Sequence, residues 1–269
     1  MVKAALRRAL GALLISIPAW LPAAPRVISL SPANTELAFA AGIVPVAVSE
    51  HSDYPPAALP IERVANWQGV DSERILTLKP DLILAWRGGN ARRPLDQLAS
   101  QGIRVLWLDP NSVEDIAKAL RELAAWSPHP EQALRAADEL LAQWQALKTR
   151  YRGAPSQKVF VQFGDKPLFT MADGTLQQTI LHACGGINIF QGSAIPWPQV
   201  SREQVLIRHP DVIVSPGAPP RAAAIGQFWG RNLTVPIIVL NEDWFERAGP
   251  RIILAAQALC EALAHKPSH

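Results

Sequence analysis

Two stretches of this chain, 130 positions apart, carry matching residues in the same order. Trp67 aligns with Trp197, Val70 with Val200 and Glu73 with Glu203. Ile75-Leu76 then aligns with Val205-Leu206, Pro80-Asp81 with Pro210-Asp211, and Leu82-Ile83-Leu84 with Val212-Ile213-Val214. An ungapped match that runs through a helix, a Pro-Asp stop and a strand predicts two similar lobes. Chance likeness of two such units is the competing explanation, and the matched Trp and Glu positions count against it.

The joint between the lobes is legible too. No Gly or internal Pro falls between Glu131 and Arg152, and Leu134, Ala137, Leu140, Leu141, Trp144 and Leu147 recur at helical spacing. This predicts one helix of about 20 residues, roughly 30 Å long. On either side, apolar runs alternate with helical stretches. The strand candidates are Arg26–Leu30, Val44–Val48, Asp81–Ala85 and Ile103–Leu108 before the long helix. Val159–Phe163, Asp211–Ser215 and Val235–Leu240 follow it, with a final helix from Pro250 to about Ala264. Ser31 offers an N-cap with Pro32 at the first helical position, and Gly42 closes that helix. The expected class is α/β: two Rossmann-like lobes of parallel sheet flanked by helices. The expected division is an N-terminal lobe over 24–127, a linking helix over 128–152 and a C-terminal lobe over 153–269.

Residues 1–23 read differently. Lys3, Arg7 and Arg8 precede an uncharged apolar run, Ala9 to Ala19, and Trp20–Ala24 ends in small residues. That pattern predicts a secretory signal peptide, the run being too short for a spanning helix of about 20 residues. The whole chain has a formal net charge of +3. Cleavage after Ala23 removes three basic residues and no acidic one, which leaves formal neutrality. The basic balance therefore belongs to the export segment and gives no support to nucleic acid as a partner. Two cysteines, Cys184 and Cys260, permit one bridge and leave no thiol over. An oxidising compartment favours the bridge; two buried thiols are the alternative. Neither cysteine has a near neighbour of its kind, which excludes zinc ribbons and redox pairs.

Catalytic signatures are missing: no Gly-x-Ser-x-Gly elbow, zinc-binding His-Glu-x-x-His, phosphate-binding Gly-Lys-Ser/Thr loop or dinucleotide-binding glycine turn. The expectation is a protein that is not an enzyme and holds no cofactor or metal. Aromatic residues stand out instead, with nine Trp and seven Phe. Trp107 and Trp144 read as core, and Trp126 fits either a core or a cleft position. Trp67, Trp86, Trp197 and Trp244 fall at the C-terminal ends of strand candidates or just before helices, the edge where parallel α/β sheets bind ligands. Pro196 and Pro198 hold Trp197 between them. A cleft walled by such side chains suits a large, flat, partly apolar ligand. Asp243-Trp244-Phe245-Glu246-Arg247 adds polar groups beside an aromatic pair; a solvated loop with a local salt bridge is the plainer alternative. Glu73 and Glu203 fall in first helical turns, where a capping role is ordinary. Their equivalence also places one carboxylate on each lobe for a partner with two matching basic sockets.

Four segments carry a family resemblance: Arg26–Gly42, Lys79–Asn90, Ile195–Gln204 and Asp243–Arg247. They resemble the periplasmic cobalamin-binding proteins of Gram-negative vitamin importers, and the likeness runs over essentially the whole chain. It implies two Rossmann-like lobes on one rigid helix, cobalamin (vitamin B12) held between them, and delivery to a transmembrane ABC importer from the periplasm. It assigns ligand contacts to Trp67, Trp86, Phe169, Trp197 and Asp243, Trp244, Phe245, Glu246 and Arg247. It assigns transporter docking to Glu73 and Glu203, facing arginines of a permease dimer, and a disulfide to Cys184 and Cys260. One position departs: His51 stands where the family has a ligand-contacting Tyr. His51 is expected against the corrin face, with an imidazole that is also able to approach cobalt. The free protein is expected to be a monomer with modest lobe closure. The competing readings are a haem or siderophore binder of the same fold, a secreted hydrolase, and a purely structural interaction module.

Overall fold

The structure is a computed structural model and describes residues 24–265. The predicted signal peptide lies outside the described residues. In the N-terminal part, β1 (Val27–Ser29) leads into α1 (Pro32–Ala40), then β2 (Ala47–Ser49). β3 (Arg63–Asn66) and β4 (Gly69–Val70) form a small hairpin before α2 (Ser72–Leu78) and β5 (Leu82–Ala85). α3 (Arg92–Ser100), β6 (Arg104–Trp107) and α4 (Val113–Leu123) complete this lobe. The sheet order is β4-β3-β2-β1-β5-β6, parallel except for the β3–β4 hairpin.

α5 (Pro130–Arg150) is the long helix, 21 residues without a break. Beyond it come β7 (Gln157–Val161), α6 (Leu176–Ala183), β8 (Gly186–Asn188), α7 (Arg202–Leu206) and β9 (Val212–Pro216). α8 (Arg221–Trp229), β10 (Ile237–Leu240), α9 (Glu242–Phe245) and α10 (Ile252–Ala264) end the chain. These strands form a second, wholly parallel sheet in the order β10-β9-β7-β8.

Local chemistry explains the shared unit. Asp81 accepts the Arg26 backbone N–H at 2.7 Å, and its own N–H donates to the Arg26 carbonyl at 2.8 Å. Asp211 does the same to Lys158, with both bonds at 2.7 Å. The Pro-Asp pair thus stops a helix and clips the next strand to the central one. The residue before each pair, Lys79 or His209, sits in the left-handed region at φ 47° or 48°. A following proline disfavours the right-handed helical region there. At the helix starts, Asp71 accepts from Arg74 N–H and Ser201 accepts from Gln204 N–H.

α5 does more than join. Ala133, Ala137, Leu140, Trp144 and Leu147 are buried in one apolar cluster with Leu82 and Leu84 of the first sheet and Val159 and Val214 of the second. The lobes therefore share a core along this helix. The disulfide joins Cys184, at the end of α6, to Cys260 in α10. No helix among the described residues is long and apolar enough to cross a membrane.

Three expectations change. The second strand starts at Ala47 rather than Val44, which is 67% exposed and followed by Pro45. The β3–β4 hairpin and β8 escape a pattern reading because Arg, Asn and Gly interrupt them, so no apolar run marks them. Trp107 is half-buried beneath the Arg87 guanidinium, 5.1 Å from the ring centroid, rather than sealed in the core.

Candidate functional site

The lobes meet at the C-terminal ends of their strands. A pocket of about 220 Å³ there is lined by the start of α1 (Ser31 to Asn34), Trp86 after β5, Leu108 to Asn111 after β6, and Glu246 to Ala248. Drug-sized ligands occupy roughly 300–1,000 Å³. The pocket can therefore take only an edge or side group of a larger molecule.

On the N-terminal lobe, Trp67 is 87% exposed at the tip of the β3–β4 hairpin, whose turn is held by Asn66 accepting from the Gln68 and Gly69 N–H groups. Trp86 is half-exposed directly beyond β5. Asn90 holds its backbone, accepting the Trp86 N–H at 2.8 Å and donating to the Leu30 carbonyl at 3.0 Å. His51 is exposed just after β2, in the left-handed region at φ 61°. It sits beside a buried hydroxyl cluster of Ser29, Thr35, Ser49 and Ser52.

On the C-terminal lobe, Trp197 and Phe169 are both partly exposed. Backbone hydrogen bonds hold their two loop segments together. The Thr170 N–H donates to the Pro198 carbonyl and the Ala172 N–H to the Pro196 carbonyl. The prolines beside Trp197 lack donors but supply acceptors, so they anchor the Trp rather than merely stiffening it. Beneath Trp197 stands Phe163, edge to face at 5.2 Å, and Phe245 stacks on Phe163 at 6.1 Å.

This arrangement corrects one expectation. Phe245 is fully buried, so it has no surface to offer a ligand. It backs the wall through Phe163. Trp244 is half-buried, Asp243 is partly exposed and Glu246 is exposed.

Arg247 has a second job that no local reading exposes. It pairs with Asp243 of α9 at 2.6 Å, just past that helix's end, and across the lobes with Asp53 at 2.7 Å and Glu36 at 3.2 Å. Arg251 also binds Glu36 through two nitrogens and lies over the Tyr54 ring at 3.8 Å. Glu36 is 3% exposed and was not singled out, because an isolated Glu inside an apolar helix carries no partner signal. The group forms an ionic brace between α1 of one lobe and the α9–α10 segment of the other. The Arg247 hydrogen bond holds the Asp53 carboxyl below its ordinary pKa. Partial desolvation at the pocket edge, reinforced by the charges of Glu242 and Asp243, raises that of Glu246. Among the described residues no His, Cys, Asp or Glu cluster could hold a metal ion.

Glu73 and Glu203 lie on α2 and α7, away from this pocket. Both are exposed, and neither forms an ion pair among the described residues. Its own backbone N–H and then the Ser201 hydroxyl lower the pKa of Glu203, which keeps the carboxylate charged.

Comparison with known proteins agrees with this arrangement. A family model described as periplasmic binding protein matches residues 27–222. The vitamin B12-binding protein of Salmonella typhi is 60% identical over 257 residues, covering 96% of this chain and 97% of that one. The protein of the same name from Yersinia pestis (strain Pestoides F) is 54% identical over 268 residues, covering 98% and 95%. The crystal structure of the periplasmic vitamin B12 binding protein BtuF of Vibrio cholerae superposes with a TM-score of 0.83 at 40% identity, covering 91% and 99%.

Proposed function

Because the chain belongs to the periplasmic binding protein family, we propose that it captures cobalamin between its two lobes and delivers it to an ABC importer. The observation that carries this reading is the pair of aromatic walls. Trp67 and Trp86 stand at strand ends of one lobe, and Trp197 and Phe169 stand on loops of the other, all four exposed. Flat faces on both lobes, with a small, mostly apolar pocket beside Trp86 that carries a few polar groups, suit a flat macrocycle with amide side groups. Asp243 and Glu246 supply acceptors for amide N–H groups at the rim, and Arg247 frames the loop that presents them. His51 adds a flat polar edge against the ring. Nothing is transformed: the protein binds and releases. Identity of 60% to a protein named for vitamin B12 favours cobalamin over haem.

Delivery is assigned to Glu73 and Glu203. Their equivalent helices, exposure and charge support docking of one carboxylate per lobe on a two-fold permease, after export directed by residues 1–23. Two matched contacts bind far better together than singly.

Titration with cyanocobalamin, followed by Trp fluorescence, tests capture. Strong saturable quenching is expected, reduced in Trp86→Ala and Trp197→Ala. Quenching by haem and not by cyanocobalamin would overturn the reading. In reconstituted importer, Glu73→Ala/Glu203→Ala is expected to abolish stimulation of ATP hydrolysis, with each single change intermediate. For His51, the bound vitamin's visible spectrum and affinity should both change in His51→Ala; no change in either removes the contact.

A further inference from the structure

Gly88 and Gly89 follow Trp86 in the turn after β5, and nothing in their backbone demands glycine. Neither has a positive φ, so an alanine would meet no conformational penalty of the left-handed kind. What excludes a side chain is the indole. A Cβ on Gly88 would stand 2.2 Å from Trp86 Cζ2 and 2.4 Å from Cε2. A Cβ on Gly89 would stand 2.6 Å from Cζ3 and 2.8 Å from Cε3. For both glycines the three nearest atoms are all of that one ring. The two residues thus run beneath opposite edges of the six-membered ring, and the indole lies down on bare backbone. The turn is tied at both ends: the Gly89 and Asn90 N–H groups donate to the Trp86 carbonyl, and Asn90 bonds Leu30.

We infer that Gly88 and Gly89 are positioning residues, a seat that holds Trp86 in one orientation as a ready-made wall of the cleft. This rests on the reading of Trp86 as a ligand contact. A ring already seated loses little freedom when a flat ligand lands on its open face, which is how preorganisation strengthens binding. A methyl group beneath it lifts the ring and does not disturb the core, because Trp86 is 45% exposed and free to rotate outward.

The test is a double-mutant cycle read by cyanocobalamin affinity, with Gly89→Ala, Trp86→Ala and the pair combined. Gly88→Ala serves as a second seat variant. Gly89→Ala is expected to weaken binding about three- to tenfold, to move the Trp86 indole N–H resonance, and to leave the thermal midpoint near that of the parent. In the Trp86→Ala background the same glycine change should have no further effect on affinity. An equal loss in both backgrounds would mean that the glycines act through the backbone, and the inference falls. If Trp86→Ala weakens binding while both glycine variants bind as the parent does, the seat is refuted and the wall stands. If Trp86→Ala itself binds as the parent does, the wall reading fails, and the seat fails with it.

Discussion

In the N-terminal lobe, the aromatic wall rests on backbone. Trp86 lies over two glycines with Asn90 tying the turn, and Trp67 caps a hairpin. In the C-terminal lobe the wall rests on other aromatics: Trp197 on Phe163, and Phe163 on buried Phe245, with the proline carbonyls completing a ladder. The frames beneath are nearly the same. Each has an exposed glutamate on the helix before the stop, then a left-handed residue before the proline, then an aspartate clip. A repeated frame therefore sets where the walls stand, while each lobe finds its own way to hold them. The C-terminal lobe alone adds a covalent tie, and its sheet has four strands against six.

The disulfide should give the largest effect. Its 76-residue separation predicts a loss of about 4 kcal/mol in Cys184→Ala/Cys260→Ala, measured by denaturant unfolding. A loss under about 1 kcal/mol would mean that the extra tie of this lobe is redundant with the shared core around α5. The ionic brace comes next. Glu36→Gln leaves Arg247 and Arg251 short of a buried counter-charge and should cost about 3 kcal/mol. A loss confined to one lobe in hydrogen exchange would show that the brace belongs to that lobe and does not span the two.

The aspartate clips test the equivalence itself. Asp81→Ala and Asp211→Ala each remove a charged acceptor from a backbone N–H and should each cost about 1.5 kcal/mol. Clearly unequal losses would break the comparison at its base. Smaller again is an acid effect. Arginine hydrogen bonds lower the pKa of Asp53 in the brace and of Asp165, paired with Arg221, in the C-terminal lobe. A depressed folded pKa contributes stability above the ordinary carboxylate value of about 3.9. That contribution is lost as pH falls through the folded pKa. Stability should fall as pH is lowered from about 4, less steeply in Asp53→Asn and in Asp165→Asn. Last, Lys79→Gly and His209→Gly relieve the left-handed conformation and should each raise stability by about 0.5 kcal/mol. Gain at only one of them would show that the two helix exits bear different strain.

Much of this was local enough to read from the chain. Ser31 and Pro32 mark the start of α1, and the Ser31 hydroxyl accepts the Asn34 N–H as a cap does. The Trp144 stripe predicts the buried face of α5; Trp86 falls just beyond a strand and Trp197 just before a helix, by position alone. These signals lie within a few residues of their cause: a cap, a period, a stop. The repeat, which compares the chain with itself, extends them to two lobes and to the paired glutamates. The tertiary structure alone decided the rest. Arg247 meets Glu36 across 211 positions, and Phe245 vanishes behind Phe163. Gly88 and Gly89 come to matter only because the Trp86 indole lies against them. Such contacts depend on how finished elements dock, and docking leaves no period, cap or spacing in the sequence from which to infer it.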